Sequence, residues 1–193
     1  MSNDTPRQVS ARESDIILDL ARQTLTLDGD WVELGCYTGD TSIGLAKLLR
    51  DTDKQLYLYD SFAGLPTKSQ QDASTIGNTF KPGELLATKA DLILRFKRAG
   101  LRVPRIKKAW FSDLTLADLP EQISFAFLDG DYYQSIKDSL KLVTPKLSKG
   151  SIVIIHDYSN PLLPGVAQAV DEWRRAHPSD LQTRETLAII SQK

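Results

Sequence analysis

Four stretches concentrate groups able to hold a ligand or move a proton. "FLDGDYY" carries Asp129 and Asp131 on either side of Gly130, directly after an apolar run, and "SIVIIHDY" ends its own apolar run in His156 and Asp157. "WVELGCYTGDTS" sets Glu33 before Gly35 and Gly39 and leads into Thr41 and Ser42, while "QLYLYDS" closes on Asp60 and Ser61. Carboxylates as close as Asp129 and Asp131 raise one another's pKa, which suits a proton acceptor and favours a nearby cation. Oxygen ligands suit Mg²⁺. Imidazole is a poorer ligand for Mg²⁺ and a better one for softer ions such as Mn²⁺. His156 has two other possible uses, as a base with an unperturbed pKa near neutrality or as hydrogen-bond support for a neighbour. A plain turn or helix cap is the competing reading of "DGD".

The glycine stretch is not a dinucleotide fingerprint. G-x-G-x-x-G would need glycine where Tyr37 and Asp40 stand. A pyrophosphate would fit poorly beside Asp40 and Glu33, whereas Glu33 can accept from an ammonium group. Gly35 and Gly39 are expected to turn the backbone tightly and let a ligand approach. Asp60 follows Gly35 by about 25 residues, where an acid can accept both hydroxyls of a ribose. The combination points to a nucleoside with an amino-acid moiety.

These groups need strand ends to hold them, and the chain supplies candidates. Ser10 and Glu13 have capping-box spacing ahead of Ile16, Ile17, Leu20 and Ala21, which predicts a helix over 11–26. Strands are expected at 30–35, 55–60, 104–111, 122–129 and 151–157. Helices are expected at 40–50, where capping residues open the segment, and at 84–99, 134–147 and 165–176. Pro82 suits the first turn of the second of these. Residues 61–81 lack periodicity and read as a lid with room for short helix. The last residues, "LQTRETLAIISQK", have room for a hairpin or one strand. Continuous apolar strands alternating with helices imply an α/β, doubly wound, mostly parallel sheet with helices on both faces and an antiparallel C-terminal strand. Ligands of such sheets bind at the carboxyl ends of the strands.

With 193 residues the chain fits one domain, taken as 11–193, behind a disordered N-terminus over 1–10. Its formal charge of −1 calls for no polyanionic partner, so nucleic acid is not favoured. The basic cluster from Lys97 to Lys108 lacks interleaved aromatic platforms and reads as a solvated edge; an RNA-binding face is the alternative. Cys36 is the single cysteine, which excludes an internal disulfide and suits a cytoplasmic setting. No apolar run is long enough for a membrane span.

"WVELGCYTGDTSIGLA", "LYDSFAGLP", "FKPGEL", "KKAWFSDL", "FAFLDGDYYQSIKDSL" and "IIHDYSNPLLPGVAQAVDEW" together resemble the class I S-adenosylmethionine-dependent methyltransferases, most closely the macrocin O-methyltransferase type. That resemblance implies a Rossmann-like fold and O-methylation of a small-molecule hydroxyl, on a sugar or glycosylated natural product. It also implies that Glu33, Gly35 and Gly39 hold the methionine end of S-adenosylmethionine, with Tyr37, Thr41 and Ser42 in the same stretch. Asp60 would hold the ribose, with Ser61 beside it among the cofactor-binding residues, Phe62 would flank the adenine, and Trp110, Phe111, Ser112 and Asp113 would line or cap its pocket. Asp129, at the cofactor edge, and Asp157 would ligate a divalent metal, Mg²⁺ or Mn²⁺, and Asp131 would be the general base. His156 departs from the pattern, since an acid is common there, and is kept both as a metal ligand and as a catalytic group. Relatives often assemble, and the N-terminal helix could serve a homo-oligomer. A cofactor-binding module without activity, an RNA methyltransferase and, less well, a nicotinamide-dependent oxidoreductase are the alternatives.

Overall fold

A computed structural model describes residues 8–77 and 80–192. Seven strands form one sheet in the order β3-β2-β1-β4-β5-β7-β6. They are β1 (Asp30–Leu34), β2 (Leu56–Asp60), β3 (Arg105–Lys108), β4 (Ile123–Leu128), β5 (Leu147–Ile155), β6 (Leu181–Arg184) and β7 (Leu187–Ser191). The first five pair in parallel, and β7 pairs antiparallel with both β5 and β6. The C-terminal segment is thus a hairpin of two strands. Helices α1 (Ala11–Arg22), α2 (Asp40–Leu48), α3 (Lys89–Arg98), α4 (Tyr133–Val143) and α5 (Pro164–Ala176) cover the two faces.

Alternation along the central strands builds a separate apolar layer on each face. In β4, Ile123, Ala126 and Leu128 join Ile136 and Leu140 of α4 and Val166 and Val170 of α5. Phe125 and Phe127 point the other way, toward Ile17 of α1, Leu45 of α2 and Phe96 of α3. Every residue of β4 is buried, as expected for a central parallel strand covered on both sides.

Local chemistry moved several boundaries. Residues 82–88 are irregular, with Gly83 and Leu85 both at positive φ, so α3 starts only after Thr88 caps it through the Asp91 amide; Pro82 does not open a helix. The cap of α2 is Gly39, in a left-handed conformation, without a side-chain hydrogen bond. α4 ends at Val143, where a short 3-10 turn containing Pro145 leads straight into a longer β5. β3 stops at Lys108, leaving Trp110 and Phe111 in the loop beyond it.

Residues 1–7 of the segment expected to be disordered lie outside the described residues. Of the remainder, Val9 is buried and Ser10 completes the expected capping box with Glu13. The apolar stripe of α1 packs within the chain, so the surface it leaves for a second copy is largely polar. Among the described residues, no helix is long and apolar enough to cross a membrane.

Candidate active site at the carboxyl edge of the sheet

Strand register gathers the residues singled out in the sequence. Leu34 of β1 is level with Tyr59 of β2 and Leu128 of β4, and Leu128 is level with Ile155 of β5. The next residue along each strand is therefore Gly35, Asp60, Asp129 and His156, side by side across four strands. Gly35, Asp60, Asp129, Asp131, His156 and Asp157 all line one cavity of about 190 Å³.

Asp60 organises the turn after β1. One carboxylate oxygen accepts from the backbone N–H groups of Cys36 (2.9 Å) and Tyr37 (3.1 Å), the other from Phe62 (2.8 Å). Gly35, at φ 90°, is required by the protein's own packing: a Cβ there would lie 1.9 Å from the Asp129 carbonyl oxygen. A Cβ on Gly39 would meet Leu92 at 2.2 Å. Both glycines thus serve close approach of the chain to itself, rather than the approach of a ligand alone. Arg95 of α3 secures the turn by donating to the Thr38 carbonyl and to Asp40, each at 2.5 Å.

Glu33 lies deeper, almost fully buried in β1. Burial, reinforced by Asp129 and Asp60, raises its pKa to about 8, and its Oε2 has no hydrogen-bond partner among the described residues. A buried carboxyl oxygen without a partner, two residues before the cavity-lining Gly35, invites a donor from a ligand or water.

The "DGD" acids do not cap α4. Its first turn is capped from elsewhere: Asp72, on the loop after β2, accepts from the Tyr133 N–H at 2.7 Å. Asp131 sits at φ 58° and Asp157 at φ 60°. Left-handed backbone at a non-glycine residue costs about 1 kcal/mol or more and concentrates at functional sites. Burial first, then the charges of Asp129 and Asp157, pushes the Asp131 pKa well above the ordinary carboxylate value.

His156 lies between carboxylates. Its Nδ1 is 2.9 Å from Asp129 Oδ1 and 3.1 Å from Asp157 Oδ2, and Asp157 also accepts from the Asn160 side chain at 2.8 Å. Burial lowers the imidazole pKa, but Asp129, Asp157 and Glu13 outweigh it and the net shift is upward. A group so held is a poor proton acceptor. Asp129, His156 and Asp157 each offer a ligand atom within 4.8 Å of the others. Two carboxylate oxygens with one imidazole nitrogen fit a divalent ion, Mn²⁺ at least as well as Mg²⁺.

Not every predicted residue reaches the cavity. Tyr37, Ser61, Trp110 and Phe111 line it together with the acids. Glu33, Gly39, Thr41, Ser42, Phe62 and Ser112 do not. Phe62 turns into the apolar layer with Cys36 and Leu92, away from the cavity. Ser112 is exposed and bonds to Asp113.

The loop read as a lid is closed on itself. Leu65 donates to the Glu84 carbonyl and accepts from the Gly83 N–H, while Asp72 pins the far end to α4. It forms a wall, with Leu65, Pro66, Phe80 and Leu85 facing the cavity. Asp72, Asn160 and Glu13 were not recognised as site residues in the sequence. For Glu13 a signal was present: an acid four residues before Ile17, on the buried stripe of α1.

Comparison with known proteins identifies the family. The family model described as Macrocin-O-methyltransferase (TylF) matches residues 15–189. The chain is 33% identical over 156 residues to the 8-demethyl-8-(2,3-dimethoxy-alpha-L-rhamnosyl)-tetracenomycin-C 4'-O-methyltransferase of Streptomyces olivaceus, covering 76% of this chain and 58% of that protein. It is 31% identical over 160 residues to the mycinamicin III 3''-O-methyltransferase of Micromonospora griseorubida, covering 77% and 61%. The chain therefore matches about three-fifths of the length of these curated relatives. Among solved structures, the O-methyltransferase NovP superposes with a TM-score of 0.78 at 24% identity, covering 94% of this chain and 80% of that one. The calicheamicin methyltransferase CalS11 gives 0.75 at 21%, covering 95% and 80%. At these identities the structural likeness speaks for the fold.

Proposed function

The chain belongs to the macrocin O-methyltransferase family, and we propose that it transfers a methyl group from S-adenosylmethionine to a hydroxyl of a small molecule, a sugar or glycosylated natural product. The activities for which the relatives are named, a rhamnosyl-tetracenomycin and a mycinamicin O-methyltransferase among them, support the acceptor class. The observation that carries the reading is the position of Asp131. It lines the cavity beside the Asp129, His156 and Asp157 cluster and makes no side-chain hydrogen bond among the described residues.

In this reading Asp60 meets the ribose hydroxyls with lone pairs left over from its backbone contacts. Glu33 and the turn at Gly35 hold the amino-acid end, and Trp110 and Phe111 flank the base. S-adenosylmethionine supplies an electrophilic methyl group, so the protein has chiefly to align an oxygen in line with it and take the proton from that oxygen. Asp131 is the group for the proton: it lines the cavity beside the three clustered groups, and its carboxylate makes no side-chain hydrogen bond among the described residues, so it is left to accept from a ligand hydroxyl. Asp129, His156 and Asp157 would hold a divalent ion, which lowers the pKa of a bound hydroxyl. His156 serves as ligand rather than base. The free, buried Cys36 suits a reducing, cytoplasmic setting.

Thermal shift with S-adenosylmethionine, S-adenosylhomocysteine and NAD, each with and without Mg²⁺ or Mn²⁺, tests the cofactor. The two sulfur nucleosides should stabilise the protein and NAD should not. Absence of a shift with either nucleoside would reject the proposal. Conversion of S-adenosylmethionine to S-adenosylhomocysteine in the presence of glycosylated hydroxyl acceptors then distinguishes an enzyme from a binding module.

A further inference from the structure

Glu13 occupies a position on the buried stripe of α1, between the helix and the end of β5, and is 5% exposed. Both of its carboxylate oxygens are held. Oε2 accepts from the Ser10 N–H (3.1 Å) and hydroxyl (2.7 Å), and Oε1 accepts from the Thr186 N–H (3.3 Å) and its hydroxyl, in the turn between β6 and β7. Oε2 also stands 3.8 Å from Nε2 of His156, on the side of the ring opposite Asp129 and Asp157. A capping box alone is normally met at the surface, and burying a carboxylate is costly unless its charge is used. Here the charge faces the imidazole.

We propose that Glu13 is a positioning residue: it holds the Nε2 edge of His156 so that Nδ1 stays directed at Asp129, Asp157 and the divalent ion that this trio would share. The inference rests on the metal-assisted reading above and extends it to two segments distant in sequence, α1 and the β6–β7 turn. Ser10 and Thr186 fix the carboxylate, and the carboxylate fixes the ring. Carboxylates that face the other ring nitrogen of a ligating histidine and accept its N–H commonly change metal affinity by about 10–100-fold when removed; Glu13 stands at ion-pair distance from that nitrogen.

The test is Mn²⁺ affinity of the full chain, read by electron paramagnetic resonance, alongside S-adenosylhomocysteine affinity by calorimetry. Glu13→Gln should weaken Mn²⁺ by about 10–100-fold and leave S-adenosylhomocysteine binding unchanged. In a His156→Asp background, where residue 156 has no second nitrogen to hold, Glu13→Gln should not weaken Mn²⁺ further. Thr186→Val, which takes the hydroxyl from Oε1 while keeping the backbone N–H and the charge, should give a smaller loss in the native background and none with His156→Asp; it serves as the test if Glu13→Gln does not fold. Unchanged Mn²⁺ affinity in Glu13→Gln, or an equal loss in both backgrounds, overturns the positioning role. Native protein that binds S-adenosylhomocysteine but no Mn²⁺ overturns it together with the metal, while native protein that binds neither rejects the methyltransferase reading itself.

Discussion

Replacing Glu33 with glutamine should stabilise the free protein and weaken its hold on cofactor. Glu33 is 1% exposed, one of its oxygens has no hydrogen-bond partner among the described residues, and its pKa is raised to about 8. An acid whose pKa is higher folded than unfolded binds its proton more tightly in the native state, so stability is lost as pH climbs from the unfolded value toward 8 and stays level above it. One pKa unit corresponds to about 1.4 kcal/mol, so the cost approaches about 3 kcal/mol at pH 7 and about 5 kcal/mol above pH 8. Glutamine keeps the shape without the titration and forfeits about 1 kcal/mol if its amide finds no partner. Urea unfolding of native and variant protein at pH 5 and pH 8, without cofactor, measures the difference. The variant should gain about 2–4 kcal/mol relative to native between the two pH values, while calorimetry at pH 7 shows weaker S-adenosylmethionine binding. A stability difference that does not change between pH 5 and pH 8 would refute the argument, because it would mean that Glu33 is not titrating in that window.

Asp131→Asn should lower methyl transfer by about 100-fold or more while S-adenosylhomocysteine binding persists, as turnover and calorimetry will show; retained turnover would remove Asp131 as the base. Gly35→Ala and Gly83→Ala place a Cβ at similar backbone angles, φ 90° and 85°, but only the first meets another atom within 4 Å. Gly83→Ala should therefore cost about 1 kcal/mol, and Gly35→Ala several times that in chemical denaturation. Asp72→Ala should cost about 1–2 kcal/mol by uncapping α4, and hydrogen exchange should rise at the Tyr133 amide and along the loop it anchors.

The parts of the site that were legible in the sequence are those written in neighbouring residues. An apolar run ending in an acid marks a strand and its carboxyl end together, so Asp60, Asp129 and Asp157 could be placed at one edge once the strands were taken as parallel. The glycine turn was legible as a turn, but the reason for its glycines was not. That reason is the Asp129 carbonyl oxygen and the Leu92 side chain, both far along the chain. Phe62 reads as an aromatic beside the ribose acid, yet a positive φ turns it into the core. Residues 82–88 read as a helix start because Pro82 fits one, and they are irregular because Gly83 and Glu84 bond instead to Leu65.

The amino-acid order by itself determined the alternation of elements, the parallel sheet and which acids share its carboxyl edge, because strand periodicity and capping are short-range effects. It also carried the family. Tertiary structure alone decided that His156 is enclosed by Asp129, Asp157 and Glu13, that Asp72 rather than the "DGD" acids caps α4, and that Asp131 is left facing the cavity with no side-chain hydrogen bond among the described residues. Each of these joins residues from distant segments, and a pKa or an unfilled hydrogen-bonding position depends on everything that packs around it. A carboxylate's neighbours in space, not its neighbours in the chain, set whether it caps, ligates or accepts a proton.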